Sequence, residues 1–141
     1  MTQPGHQELV AALNELLEQS RSGVSVVQVY LRGTTDEEVR RGLKEAIVSQ
    51  ARICSTLYLH IQELGGEPST QVASPAEQAP TPADPGMQAE ALVRLLERFI
   101  GSVEGHLALM DAFSRDFFGQ ALAEQRRHLN WVRSVAMRYN L

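Results

Sequence analysis

The stretch Glu67–Gly86, EPSTQVASPAEQAPTPADPG, decides the topology of this chain. Pro68, Pro75, Pro80, Pro82 and Pro85 sit in it among Ala, Ser, Thr and Gln. Proline lacks an amide hydrogen and fixes φ, so this composition reads as an extended or disordered linker and not as a helix or strand. On both sides of it apolar residues recur every three or four positions, the period of a helix with one buried face. The linker therefore separates two helical pairs. About twenty residues reach roughly 66 Å when extended, against roughly 42 Å for a helix of about 28 residues. The linker can travel the full length of a bundle and set the third helix parallel to the second. A simple up-down bundle with a slack loop is the alternative; the crossover gives so long a connection a reason.

Four helices follow from the periodicity, at about 8–32, 36–64, 87–112 and 115–139, with the linker at 66–86, all in one domain spanning 1–141. The first stripe is Leu9, Leu13, Leu16, Ser20, Val24, Val27, Leu31, ended by Gly33-Thr34-Thr35. The second is Val39, Leu43, Ala46, Gln50, Ile53, Leu57, His60, Leu64, with Thr34 or Thr35 as its cap and Asp36, Glu37 and Glu38 near its positive end. Gly65-Gly66 followed by Pro68 is a helix stop. The third stripe is Leu92, Leu96, Phe99, Val103, His106, Met110, Phe113; the fourth is Phe118, Leu122, Gln125, Leu129, Val132, Ala136, Tyr139, with Ser114 as its cap. Connections of about three residues within each pair force antiparallel neighbours.

Composition narrows the function classes. The chain has 141 residues, 43% of them hydrophobic, which supplies a core. A net charge of -4 leaves no basic footprint, so neither nucleic acid nor an anionic membrane is an expected partner. No apolar run reaches ~18 residues, so no membrane span is expected, and Met1–Glu8 has no signal-peptide pattern. A bacterial-type cytoplasmic protein is the expectation. Cys54 is the only cysteine, so an intrachain disulfide and a CxxC site are excluded. On an apolar face it reads as a small buried hydrophobe.

Three seam positions at one level of the bundle are polar and neutral: Ser20, Gln50 and Gln125. Buried there, they need hydrogen bonds or cost about 1–3 kcal/mol each. They can bond one another, His128 or a trapped water, and such a layer can fix helix register. His106, Ser102 and Cys54 are candidates for lining a cavity beside it. Gly101, Ser102 and Gly105 form a small face read as allowing close packing inside the bundle, with a dimer contact as the alternative. Trp131, beside Leu129 and Val132, makes helix four apolar over more than one stripe, which points to a homodimer or a protein partner. No Ser-His-Asp set, phosphate-binding Gly loop or paired-carboxylate site is present.

The chain resembles the bacterial ferritin-like families of small four-helix proteins. The residues that carry the resemblance are Leu13-Asn14-Glu15-Leu16-Leu17-Glu18 with Arg21 and Gly23, then Gln50-Ala51-Arg52 with Cys54. The helix end His60 to Ser69 and the run Gln125-Arg126-Arg127-His128-Leu129 complete it. The resemblance implies an all-α, antiparallel four-helix bundle with a long helix 2–helix 3 crossover. It also implies a di-metal site with a Glu on two helices and Glu-x-x-His on the other two. Here Ser20 stands at the first ligand level, with Glu18 turned about 160° away. Gln50 and Ile53 replace both residues of one motif, helix three offers Phe99, Ser102 and Val103, and Gln125-x-x-His128 keeps one ligand. Iron and manganese need anionic oxygens, which neutral Ser and Gln do not supply. The sequence therefore points to a bundle without a metal or cofactor, acting as an accessory or adaptor subunit. The alternatives are an oxidoreductase or metal-binding protein with a reduced iron or manganese site, and a small-molecule binder in the interhelical cavity.

Overall fold

The structure, a computed structural model, describes residues 4–71 and 84–139. Four helices make the bundle: α1 (Pro4–Gly33), α2 (Glu37–Glu63), α3 (Pro85–His106) and α4 (Ala112–Tyr139). Among the described residues there is no strand. α1 pairs with α2 and α3 with α4, while α1 packs on α3 and α2 on α4.

Contacts along the helices give their directions. Gln50 meets Gln125 and His60 meets Asp111, so α2 and α4 are antiparallel. Glu15 meets His106, whereas Tyr30 and Gly33 share a cleft with Pro85 and Leu92, so α1 and α3 are antiparallel too. α3 is then parallel to α2, and the chain crosses the length of the bundle between them, the arrangement that the long linker allows. The described start of that crossover is fastened to α1. His6 Nε2 lies 2.6 Å from the Leu64 carbonyl. Asn14 donates to Glu67 O at 3.0 Å and accepts from Ser69 N at 2.7 Å. Arg21 donates to the carbonyls of Ser69 and Gln71. Steps of seven or eight residues put these three side chains on one line of α1, which guides the strap back along the helix. The remainder of the expected linker, 72–83, lies outside the described residues.

Helix ends follow local chemistry. Asp36 caps α2 through Glu38 N at 2.9 Å and Val39 N at 3.2 Å, a role the sequence reading gave to Thr34 or Thr35. Thr34 Oγ1 instead donates back to Tyr30 O, and Arg40 donates to Leu31 O and Thr34 O. Gly65 closes α2 with φ of 81°, a left-handed conformation that favours glycine. Asp84 caps α3 and Pro85 occupies its first turn, which starts that helix two residues before Met87.

The α3–α4 joint differs from expectation. α3 stops at His106, a 3₁₀ turn covers Leu107–Leu109, and Met110 is extended. Asp111 caps α4 by accepting from Ser114 N at 3.0 Å, so the cap is Asp111 and not Ser114. Carboxylates cap as well as hydroxyls, and Ser114 lies inside the first turn. This shift takes Phe113 off the buried seam and leaves it 50% exposed. Another register change ends α1: Tyr30 is buried in the core, and Val24 and Leu31 are only half-buried. Leu64 is half-buried and Tyr139 exposed, off the expected stripes, while the rest of the core follows them, with Leu13, Leu16, Val27, Ile53, Leu57, Val103 and Phe118 almost wholly inside.

Candidate functional site

The bundle centre holds a hydrogen-bonded chain of neutral side chains. Gln50 Nε2 donates to Gln125 Oε1 at 2.7 Å, and Gln125 Nε2 donates to Ser49 Oγ at 2.8 Å. Gln50 is 5% exposed, Gln125 0% and Ser49 4%. Gln50 comes from the core face of α2 and Gln125 from that of α4, so the amide chain crosses the α2–α4 contact. Ser49 is the member that the stripe missed, because it sits one residue from the seam.

Ser20 is fully buried on α1, but its Oγ has no protein partner within the described residues. The same is true of Ser22 Oγ, Gln19 Oε1 and Gln50 Oε1. Gly23, one turn beyond Ser20, faces Gln50: a Cβ there would stand 3.6 Å from Gln50 Oε1. Gln19, Gly23 and Gln50 line a small cavity with Leu95, Leu96, Arg98 and Phe99 of α3.

The other expected site residues lie elsewhere. His128 points away from the layer, into an outer groove between α2 and α4 with Glu45, Glu124 and Trp131. Burial lowers its pKa below the ordinary histidine value and Arg127 adds to that, while Glu124 and Glu45 pull it up. The Gln125-x-x-His128 spacing thus aims its two side chains at different places. His106 is half-buried at the end of α3 and bonds Glu15 at 3.0 Å. Cys54 opens onto a groove with Arg21, Ser55, Tyr58 and Leu59. Burial raises its thiol pKa, against the pull of Arg21. Ser102 is half-buried, and a Cβ on either Gly101 or Gly105 would meet nothing within 4 Å. That small face therefore looks outward and does not serve close packing inside the bundle, as the sequence reading had it.

A second cluster sits at the far end of α2. His60 is 7% exposed and its Nε2 lies 2.8 Å from Asp111 Oδ2, while its ring packs on Phe113 with centroids 4.3 Å apart. Burial raises the Asp111 pKa, but hydrogen bonds from Ser114 and His60 and the His60 charge outweigh it, and the net direction is down. This pair ties α2 to the start of α4 and offers no nucleophile or open ligand position.

A diiron-carboxylate centre does not fit this interior. The centre of the bundle is occupied by two amides and a hydroxyl, which bring no negative charge to a divalent ion. Among the described residues, no three His, Cys, Asp or Glu side chains come together as a metal ion would need. No helix among them is long and apolar enough to cross a membrane.

The family model described as domain of unknown function, DUF6306, matches residues 7–105, most of α1 through α3. The chain belongs to the DUF6306 family. Two solved structures share its fold. A two-domain protein from Anabaena variabilis ATCC 29413, with DJ-1/ThiJ/PfpI-like and ferritin-like domains, superposes with a TM-score of 0.79 at 19% identity. That match covers 96% of this DUF6306 chain but 38% of the Anabaena chain, so this chain spans well under half of that protein. A ferritin-like, diiron-carboxylate protein from Bacillus anthracis str. Ames superposes with a TM-score of 0.69 at 13% identity, covering 99% of this chain and 97% of that one. No curated protein matches this DUF6306 chain. The fold is therefore ferritin-like, and it is the fold alone that these likenesses establish.

Proposed function

We propose that this chain is a non-catalytic ferritin-like bundle that acts by protein contact, as an accessory or adaptor subunit. The observation that supports the reading is the Gln50–Gln125–Ser49 amide chain, a neutral hydrogen-bonded layer at the bundle centre, where the resemblance implies metal-ligating carboxylates. A hydrogen-bonded neutral layer leaves the interior a register device instead of a reaction centre.

The outer face of α2 supports the contact half of the reading. Val48 is 58% exposed, Leu59 59% and Tyr58 42%, with small Ala51 and Ser55 between them. Residues 48, 51, 55, 59 and 62 follow a three-four spacing, so this solvent-facing stripe has the pattern of a helix seam. Its one central charge, Arg52, lies 3.6 Å from Glu124. The expected occupant is a helix of a second copy or of a partner protein. Trp131, the residue that suggested a second surface in the sequence, instead lies over Gly42 of α2. The Anabaena neighbour is compatible with this reading, since there a ferritin-like domain shares a chain with another domain.

The test is the mass of the chain in solution, alone and after crosslinked isolation from cells, combined with an aerobic Fe(II) oxidation assay. A dimer or a stoichiometric partner, lost in Leu59→Glu, with oxidation no faster than in buffer, is the expected result. A monomer without a partner that oxidises Fe(II) catalytically overturns the reading. A specific observation favours one second reading, small-molecule binding: the unpaired polar atoms of Gln19, Ser20, Ser22 and Gln50 inside the bundle.

A further inference from the structure

The amide chain has a direction that leaves one atom over. Gln50 spends its NH2 on Gln125, and Gln125 spends its NH2 on Ser49. Rotating the Gln50 amide alone would set its oxygen against Gln125 Oε1. Gln50 Oε1 is left as a buried acceptor without a protein donor. Gln19 Oε1, on the neighbouring helix, is a second such acceptor, and both residues line the same cavity. Two carbonyl oxygens from residues that line one cavity can be served by one centre that donates two hydrogens.

The space fits that centre and little else. The cavity holds about 10 Å³, the room that one water requires. Its other lining residues are Leu95, Leu96, Phe99 and Arg98, the last of them exposed. Gly23 keeps it open, because a Cβ there would stand 3.6 Å from Gln50 Oε1 and fill the side from which a donor approaches. Nothing in the helix requires a glycine at this point: Gly23 lies in the interior of α1 with helical φ, where glycine costs about 1 kcal/mol relative to alanine.

We propose that the cavity bounded by Gln19, Gly23 and Gln50 is a binding site for a single small hydrogen-bond donor that bridges Gln19 Oε1 and Gln50 Oε1. Water and ammonium share this chemistry. The bridge couples α1 to the α2–α4 amide chain, so the polar layer spans three helices instead of two. This inference is separate from the protein-contact reading; a dry cavity would leave that reading intact.

A crystal structure of the full chain at better than about 1.5 Å, grown without ammonium salts, tests it directly. One isolated density within hydrogen-bond distance of both oxygens is expected, and its loss in Gly23→Ala. A dry cavity, or Gln19 swung out to solvent, overturns the proposal. In solution, water-to-amide cross-relaxation at the Gln50 side-chain NH2 should be strong in the wild type and fall several-fold in Gly23→Ala and in Gln19→Leu. Equal signals in all three overturn it independently of crystal growth. Melting in 100 mM ammonium chloride against 100 mM sodium chloride separates the sources. A rise confined to ammonium, and abolished by Gly23→Ala, assigns the site to ammonium; equal melting, with the crystallographic density present, assigns it to water.

Discussion

The amide chain predicts an unequal pair of single substitutions and a mild double one. In Gln125→Leu, Gln50 Nε2 and Ser49 Oγ both lose their only side-chain partner while remaining in the interior. At about 1–3 kcal/mol per stranded buried group, softened by small local shifts, the cost is about 2–3 kcal/mol. In Gln50→Leu, only Gln125 Oε1 is stranded, because Gln125 still donates to Ser49. Gln50 Oε1, which has no protein donor, leaves as well, so the cost is about 1 kcal/mol. With both replaced, two side chains of Leu size face each other across α2 and α4. Only the Ser49 hydroxyl is left to turn to its own helix, and stability returns to within about 1 kcal/mol of the wild type. Over 141 residues, an unfolding entropy of about 2.1 cal/mol/K per residue makes 1 kcal/mol worth about 3 °C. Melting should fall by about 6–9 °C in Gln125→Leu and by about 3 °C in Gln50→Leu, and stay within about 3 °C in the double variant. Circular dichroism melts of the four proteins close the double-mutant cycle. Equal single costs, or a double variant that loses the sum of the singles, would refute the directional chain.

Other substitutions probe the remaining polar contacts. Asp111→Ala removes the α4 cap and the His60 partner together and should cost about 2 kcal/mol in denaturant unfolding, whereas Asp111→Asn keeps the cap and should cost less. Because the Asp111 pKa is lowered in the fold, its contribution is full above the unfolded carboxylate value of about 3.9 and is lost as pH falls through the folded value. His128 has the opposite chemistry and the same sense. Its lowered pKa means that the unfolded chain binds the proton more tightly. Stability should be complete above about pH 6.5 and decline below it, with an NMR titration midpoint under that of a model histidine. Gly42→Ala puts a Cβ at 2.1 Å from the Trp131 ring, which must swing outward. Trp131 is the only tryptophan, so its emission should shift to the red with the helices intact; an unchanged spectrum would contradict the contact.

The sequence yields the bundle because its signals are local and redundant. The proline-rich run, the Gly65-Gly66 stop and the three-four stripes each report backbone constraints that act within a few residues. Errors arose where two local options competed. Thr34, Thr35 and Asp36 are all cap formers, and only the path of the turn chooses Asp36. The 3₁₀ turn at Leu107–Leu109 keeps an apolar period close to that of the helix, so α3 looked longer than it is and Phe113 looked buried. At the centre, the position of Gln50 and Gln125 on facing seams was legible from spacing. The donor direction, the part played by Ser49 and the outward aim of His128 depend on how α2 and α4 are rotated against each other, and no single helix encodes that. The exposed Val48–Leu59 stripe was hidden in the same way, since α2 is apolar on two sides and periodicity alone does not say which one meets the bundle.

On the proposed reading, this ferritin-like interior holds a neutral hydrogen-bonded layer in place of metal-ligating carboxylates. Elemental analysis by mass spectrometry, on protein purified without a metal-affinity tag and after anaerobic incubation with Fe(II), tests it most directly. Iron, manganese and zinc are expected well below one equivalent per chain, with no change in melting on Fe(II) addition. One or two tightly held ions per chain, released by Gln125→Leu or by substitution of His128, would contradict it.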